Sequence, residues 1–574
     1  MNLSAVPRMV WEQRYRYDNE NDIEATWTRV ARAVARVEPR EADSWRQRFF
    51  DLLVSMRFLP GGRILAGAGT DRRVTLFNCF VMGPIEDSMQ GICRALAEGS
   101  LTMQQGGGIG YDFSTLRPRG APARASGQVA SGPVSFMRVW DSMCATLQAT
   151  SERRGAMMAT LRCDHPDIEE FIDAKRTTAA LSCFNLSVQV TDAFFQAVRA
   201  DAELPLTFGA EIVRRVSART LWHRLLEAAT EVGEPGILFV DHVNRTNNLR
   251  YRERISATNP CGEIPLPPYG ACNLGSLNLP LFVRRPFSPD ATFDFDALAE
   301  ATSLAVRFLD DVIDVSAFPL PAQAEEARAT RRLGLGVTGL ADALVMLGQR
   351  YDSDAGRAVA AELARTLAHA AYRASIALSK ERGPFPALHI ADHLRGEYIR
   401  SLPQDIRRSL GENGIRNSHL IAFAPAGTIS LLADNVSSGV EPVFRATYRR
   451  RVRRAGKAAV EVNLVDYAVA RWRDSPGHHD GFPPAFTDTR AIAPSAHVEM
   501  QVALQPFVDG AISKTVNLPA RCSVEEVRHL VDRAYAGGLK GLTVFPANSP
   551  IGAILIADGT EAPGGCDAPA CAAL

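Results

Sequence analysis

The chain has 574 residues, with 46% hydrophobic and 22% charged residues, and its 64 Lys and Arg balance 64 Asp and Glu. That composition excludes a disordered, collagen-like or fibrous chain, and the zero net charge argues against a protein that lives on long nucleic acid. No stretch approaches the ~18 consecutive apolar residues of a spanning helix, and the N-terminus MNLSAVPRMVWEQRY lacks the apolar core and small-residue cleavage site of a signal peptide. A cytoplasmic location with no membrane and no nucleic-acid partner is the expectation. At ~100–200 residues per domain the length allows several ordinary domains, or one large one with appendages.

In chain order, residues 1–70 read as a helical domain. DIEATWTRVARAVARVEP and ADSWRQRFFDLLVSM carry apolar residues at helical spacing, ahead of the break at Pro60-Gly61-Gly62. From 71 to 550, β-rich runs (TLFNCFVMG, FNLSVQV, GILFV, HLIAFA, GLTVF) alternate with helical ones (SARTLWHRLLEAATEV, DAGRAVAAELARTLAHAAYRASIALSKE, VEEVRHLVDRAYAGG). Such alternation predicts an α/β fold with largely parallel strands. Residues 551–574 are rich in Ala, Pro, Gly and Asp with little to bury, which predicts a flexible tail.

The densest chemical signal is Asn259-Pro260-Cys261-Gly262-Glu263, followed by Ala271-Cys272-Asn273. Were this segment extended, Asn259, Cys261 and Glu263 would point the same way and converge on one substrate. A Pro-Gly turn around a buried Cys explains the same spacing. Cys79, inside the apolar run Phe77 to Val81, reads by itself as core. Cys566 and Cys571 sit in the tail with no packing task. A mobile dithiol suits thiol–disulfide exchange, while the tail offers no other Cys or His to complete a zinc site. Gln105 to Gly110 is glycine-rich but lacks the Lys-Ser/Thr of a P-loop. Pro425-Ala426-Gly427-Thr428-Ile429-Ser430 follows an apolar run, and is either a phosphate contact or a tight strand-to-helix turn. The basic run from Arg445 to Lys457 reads as a solvated face. The 11 His form no HExxH or clustered metal set, so no protein-bound metal is expected.

Together these segments closely resemble the catalytic subunit of ribonucleotide reductase, in its adenosylcobalamin-dependent class II form. The likeness runs from about residue 45 to the C-terminus through FLPGGRILAGAGT, FNCF, GGGIGYDFSTLRPRGAP, NPCGEIPLPPYGACNLGSLNL, GLGVTGLADAL, APAGTISLL, SSGVEPVF and GLKGLTVF, in family order. It implies a ten-stranded α/β barrel of two parallel five-stranded halves, with Cys261 on a central finger loop. Cys261 would carry the thiyl radical, Glu263 would be the general base at the 3′-hydroxyl, and Asn259 would bind the ribose. Cys79 and Cys272 would supply the electrons, and Cys566 and Cys571 would reset them with a thioredoxin-like donor. Asn78, Gly108 and Pro425 to Ser430 would hold substrate. Asp87, Ser88, Arg117 and Arg124 would bind a deoxynucleotide effector, whose choice Gly155 to Met158 would relay, and the chain would be a homodimer.

The radical source is read by comparison. Val544-Phe545 stands where the form with a separate metal-bearing subunit has a Tyr pair, and Gly564-Gly565 does not resemble a glycyl-radical motif. The resemblance therefore implies adenosylcobalamin, with no cofactor contacts assignable. Alternatives are a reductase fed by a separate radical subunit, or an inactive nucleotide-binding regulator. The chain begins at the helical domain, so overall inhibition by dATP through an ATP-cone is not expected, and Leu59 stands where relatives have a small hydroxyl residue.

Overall fold

A computed structural model describes residues 3–123, 128–149, 156–176, 181–454, 457–476, 481–547 and 555–557. The N-terminal segment forms helices α1 (Ala5–Arg14), α2 (Ile23–Ala35) and α3 (Ala42–Val54). In α2 the Asp22 carboxylate caps the Ala25 N–H, and Ile23, Trp27, Val30, Ala31 and Val34 fall on its buried face at helical spacing. The same segment also holds a strand, β1 (Phe58–Pro60), which pairs with the large sheet. The region expected to be helical thus ends by contributing to the next layer.

That sheet has ten strands. After β1 come β2 (Cys79–Val81), β3 (Gly108–Asp112), β4 (Met157–Arg162), β5 (Phe184–Val190), β6 (Gly236–Phe239), β7 (Ala271–Asn278), β8 (Leu333–Thr338), β9 (Thr515–Leu518) and β10 (Gly541–Pro546). Strands β2 to β6 lie side by side and parallel. Helices cross between them, including α4 (Met89–Gln104) before β3, Pro133–Ala149 before β4 and Ala218–Val232 before β6. Two antiparallel seams flank this parallel set, β2 with β7 and β6 with β10. Beyond the seams, β7 runs parallel to β8 and β10 parallel to β9. Single parallel bridges continue from Leu335 to Ile421 and from Phe423 to Ile512. The run HLIAFA, expected as a strand, therefore pairs through isolated bridges. The observed architecture is a mixed α/β fold with a large sheet and an N-terminal helical layer.

Polar residues also hold the layers together. α5 (Phe295–Val315) and α6 (Asp354–Arg382) carry a buried charge cluster. Arg307 Nε and Arg382 Nη2 reach Glu38 of the N-terminal layer at 2.6 and 2.5 Å, Arg382 Nη1 meets Asp311 at 2.5 Å, and Arg331 and Arg416 hold Asp310 at 2.9 and 3.2 Å. Burial, partly offset by Arg382, pushes the Asp311 carboxyl up to about 8. The folded state therefore holds a proton that the unfolded chain releases near its ordinary value of ~4. The stability this group contributes is fully present below that value and is lost as pH rises through the folded one. Asp311→Asn should flatten the slope of denaturation midpoint between pH 5 and 8. An unchanged slope in the variant removes Asp311 as its source.

Leu555–Ala557, inside the expected flexible tail, forms a strand against Tyr448–Arg450 of the basic run. Cys566 and Cys571 lie outside the described residues. No helix among the described residues is long and apolar enough to cross a membrane.

Candidate active site

The NPCGE segment is a hairpin. Ala257 and Thr258 pair antiparallel with Leu266 and Pro265, and residues 259–264 make the connecting loop. The chain turns at Gly262, whose φ of 83° lies in the left-handed region that an L side chain resists. The loop is therefore not extended through Cys261, and strand alternation does not govern which way its side chains face. Asn259 closes the turn instead: its carbonyl accepts the Gly262 N–H at 3.1 Å and its Oδ1 accepts the Ile264 N–H at 3.0 Å.

The hairpin lies against β2, β3 and β4. A Cβ on Gly110 of β3 would come within 1.9 Å of the Thr258 carbonyl, so only glycine permits that approach. The hairpin is tied to the parallel set on one side and to the segment at Ala511 on the other. Asn185 of β5 donates to the Pro260 carbonyl at 2.8 Å and Thr160 of β4 to the Ser256 carbonyl at 2.9 Å. On the other side, the Glu263 carbonyl accepts the Ala511 N–H at 2.9 Å.

Three predicted residues meet at one sulfur. Cys79 Sγ lies 3.7 Å from Glu263 Oε1, to which it donates, and accepts from Asn259 Nδ2 at 3.2 Å. Cys79 is also directly opposite Cys272 in the β2–β7 register. Opposed residues of an antiparallel pair stand ~4.5–5.5 Å apart at Cα, within the range a disulfide spans. Both are buried thiols in this structure. Cys79 is read correctly as buried, yet it faces polar partners that its apolar neighbours in sequence do not announce.

Burial pushes both thiols well above the ordinary range, and the Glu263 carboxylate adds to the rise at Cys79. Burial also raises the Glu263 carboxyl, against hydrogen bonds that lower it. Its second oxygen, Oε2, is buried without a hydrogen-bond partner among the described residues, as is Asn78 Oδ1. Cys261 is half-buried at the hairpin tip, and no atom of the described residues lies within 4 Å of the position a Cβ on Gly262 would take. The unpartnered Glu263 oxygen is a place for a ligand hydroxyl to bind.

Of the other predicted residues, Asn78 and Gly108 are adjacent: the Asn78 carbonyl accepts the Gly108 N–H at 2.9 Å, and a Cβ on Gly108 would lie 3.3 Å from the Pro260 ring. Pro425 to Ser430 follow the bridged segment 421–423, and helix α7 (Gly427–Leu432) begins there, so the strand-to-helix turn is present. The Ala426 N–H donates to Ser438 Oγ at 2.8 Å.

Asp87, Ser88 and Arg117 also meet, but in a way the sequence did not announce. Arg117 Nε donates to Asp87 Oδ2 at 2.8 Å, its Nη2 to the Asp87 carbonyl and its Nη1 to the Pro122 carbonyl. Its fork is engaged by protein oxygens in this structure. Ser88 caps α4 by accepting the Gly91 N–H. Arg124 and Gly155 lie outside the described residues, while Ala156 to Met158 enter β4 as buried residues. Leu59 is fully buried in β1 opposite Ser276, so its side chain is packed away. Asn185 and Thr160 were missed as site residues. They read as ordinary strand positions, and only a polar residue inside an apolar strand could have marked them.

Comparison with known proteins places these features in one family. Residues 77–545 match the model described as "Ribonucleotide reductase, barrel domain", and residues 1–73 match "Ribonucleotide reductase, all-alpha domain". The chain is 40% identical over 610 residues to a vitamin B12-dependent ribonucleoside-diphosphate reductase of Mycobacterium tuberculosis, covering 100% of this chain and 84% of that one. It is 34% identical to a protein of the same description from Thermoplasma acidophilum, over 91% of this chain and 67% of that one. A vitamin B12-dependent ribonucleotide reductase of Streptomyces coelicolor is 29% identical over 90% and 60%. With the paired thiols, the carboxylate at the hairpin and both matched regions in agreement, the chain belongs to the ribonucleotide reductase family.

Proposed function

We propose that the chain reduces ribonucleotides, as diphosphates, to 2′-deoxyribonucleotides, with adenosylcobalamin as its radical source. The observation that carries this reading is the opposition of Cys79 and Cys272 across the β2–β7 seam, beside the hairpin that holds Cys261 and Glu263. Bound adenosylcobalamin supplies the radical equivalent that oxidises a thiol, and the half-buried Cys261 at an open tip fits a group that must reach its sulfur. Phe545, in the place of a phenol pair, supports this source over a separate subunit.

The protein's own residues do the rest. Cys261, as a thiyl, abstracts the 3′-hydrogen of the ribose while Asn259 orients the sugar and Glu263 takes the 3′-hydroxyl proton. Cys79 and Cys272 deliver two electrons and two protons, the 2′-hydroxyl leaves as water, the two sulfurs join, and Cys261 and Glu263 return the hydrogen atom and the proton to the 3′ position, which restores the thiyl. Their raised pKa values keep both protonated until that moment. Cys566 and Cys571 then exchange with the new disulfide and are reset by a thioredoxin-like dithiol. Substrate phosphate rests on Pro425 to Ser430 with Asn78 and Gly108. A deoxynucleotide effector at Asp87, Ser88, Arg117 and Arg124 selects the base, in a homodimer. We further infer that the sheet and its bridges close into a ten-stranded barrel of two parallel halves around the hairpin as a finger.

The test is CDP reduction by the purified chain with dithiothreitol, with and without adenosylcobalamin, in air and anaerobically. Turnover that requires the cobalamin and survives oxygen is the expected result. Absence of turnover with all four nucleotides, as di- and triphosphates with effectors present, overturns the reading.

Glu263 gives a pH signature. A base must be ionised, so kcat/KM should fall as pH drops through a value above that of an ordinary glutamate, the shift being due to burial. Glu263→Gln should cost about 10²–10⁴-fold in kcat and erase that acid limb from the residual rate. A limb that persists in the variant assigns it to another group.

A further inference from the structure

Tyr15 belongs to the N-terminal helical layer, at the end of α1, yet its phenol donates to Thr428 Oγ1 at 2.6 Å, 413 residues away. Its ring is fully buried. Its backbone carbonyl accepts Arg29 Nη2 at 3.2 Å, and Arg29 is itself held by Glu20 at 2.7 Å. The same helix reaches the segment after α7 through Ser4 Oγ, which donates to Asp434 Oδ1 at 2.7 Å. The α1 layer is thus seated on the turn that carries Thr428.

A threonine hydroxyl has one hydrogen and two lone pairs, and a phenol is the stronger acid of the two. With Tyr15 donating, one Thr428 lone pair is occupied and the threonine's own hydrogen must point elsewhere. We infer that Tyr15 is a positioning residue for substrate: by fixing the Thr428 hydroxyl as an acceptor toward itself, it presents that hydroxyl's hydrogen to the phosphate of a bound nucleotide. This rests on the reading of Pro425 to Ser430 as the phosphate turn. It gives the helical layer a part in substrate affinity, although none of its side chains touches the reacting atoms.

The test is CDP binding by calorimetry to the full chain without cobalamin, where nothing turns over, together with KM and kcat in the complete system. Tyr15→Phe keeps the ring and removes its hydrogen bond to Thr428. Its Kd and KM for CDP should rise roughly five- to tenfold, with kcat within twofold of the parent, and binding of the unphosphorylated nucleoside should not change. Thr428→Val should weaken CDP similarly, and Tyr15→Phe should add nothing in that background. Ser4→Ala, which loosens the same helix without touching Thr428, should leave Kd unaltered. If Thr428→Val weakens CDP but Tyr15→Phe does not, or if Tyr15→Phe costs as much without Thr428 as with it, the positioning role is overturned and the phosphate turn stands. If Thr428→Val leaves CDP binding intact, the phosphate turn itself fails.

Discussion

Cys261→Ser should eliminate ribonucleotide reduction, with kcat falling by more than about 10³-fold, the scale on which removal of a group that forms bonds to substrate acts. An O–H bond is stronger than an S–H bond, so serine cannot be oxidised by the radical that oxidises the thiol. The substitution is small and falls at a half-buried loop tip, so the thermal midpoint and CDP affinity should stay near those of the parent. Those controls separate loss of chemistry from loss of structure. A serine variant that still makes deoxynucleotide refutes a thiyl at this position.

Cys79→Ala and Cys272→Ala should each stop multiple turnover under dithiothreitol as well as under thioredoxin, because the electron pair leaves from these sulfurs whatever the external donor. A loss of at least about 10²-fold in steady-state rate is expected. One anaerobic turnover without reductant should convert the parent pair to a disulfide, found by peptide mapping as a Cys79–Cys272 link. Cys566→Ser is the contrast: it should abolish thioredoxin-driven turnover but spare reduction by the small dithiol. A disulfide linking any other pair of cysteines, or equal loss of the Cys566 variant under both reductants, contradicts the scheme at an identifiable step.

The legible parts of the fold were those in which one residue carries one signal. The amphipathic pattern of DIEATWTRVARAVARVEP became α2, and FNLSVQV and GILFV became β5 and β6. Several of the strands that escaped pattern reading are glycine-rich. GIGYD, ACNLGSLN and LGLGVT lack β-propensity because their glycines admit another chain: Gly110 faces the Thr258 carbonyl, Gly275 the Phe58 ring and Gly336 the Ala422 carbonyl. Their purpose is visible only once the neighbouring segment is in place.

The site divides similarly. Cys261, Glu263 and Asn259 were marked by their crowding within five positions. The partnership of Cys79 with Cys272 depends on a pairing 193 positions apart, which no local pattern contains. Arg117 shows the reverse case, since its chemistry suits phosphate while its neighbourhood has already engaged it.

The hairpin's two anchors have a consequence of their own. Pro260 is fastened to β5 through Asn185, and Glu263 to the opposite strands through Ala511. A fluctuation that parts β5 from the segment at Ala511 pulls the residues on either side of Cys261 in different directions. The proposed site therefore comes apart in that motion. Under the proposed mechanism a sulfur radical would be left only in a state that has already lost its acid–base partner, so the loop would act as a mechanical interlock as well as a platform for chemistry.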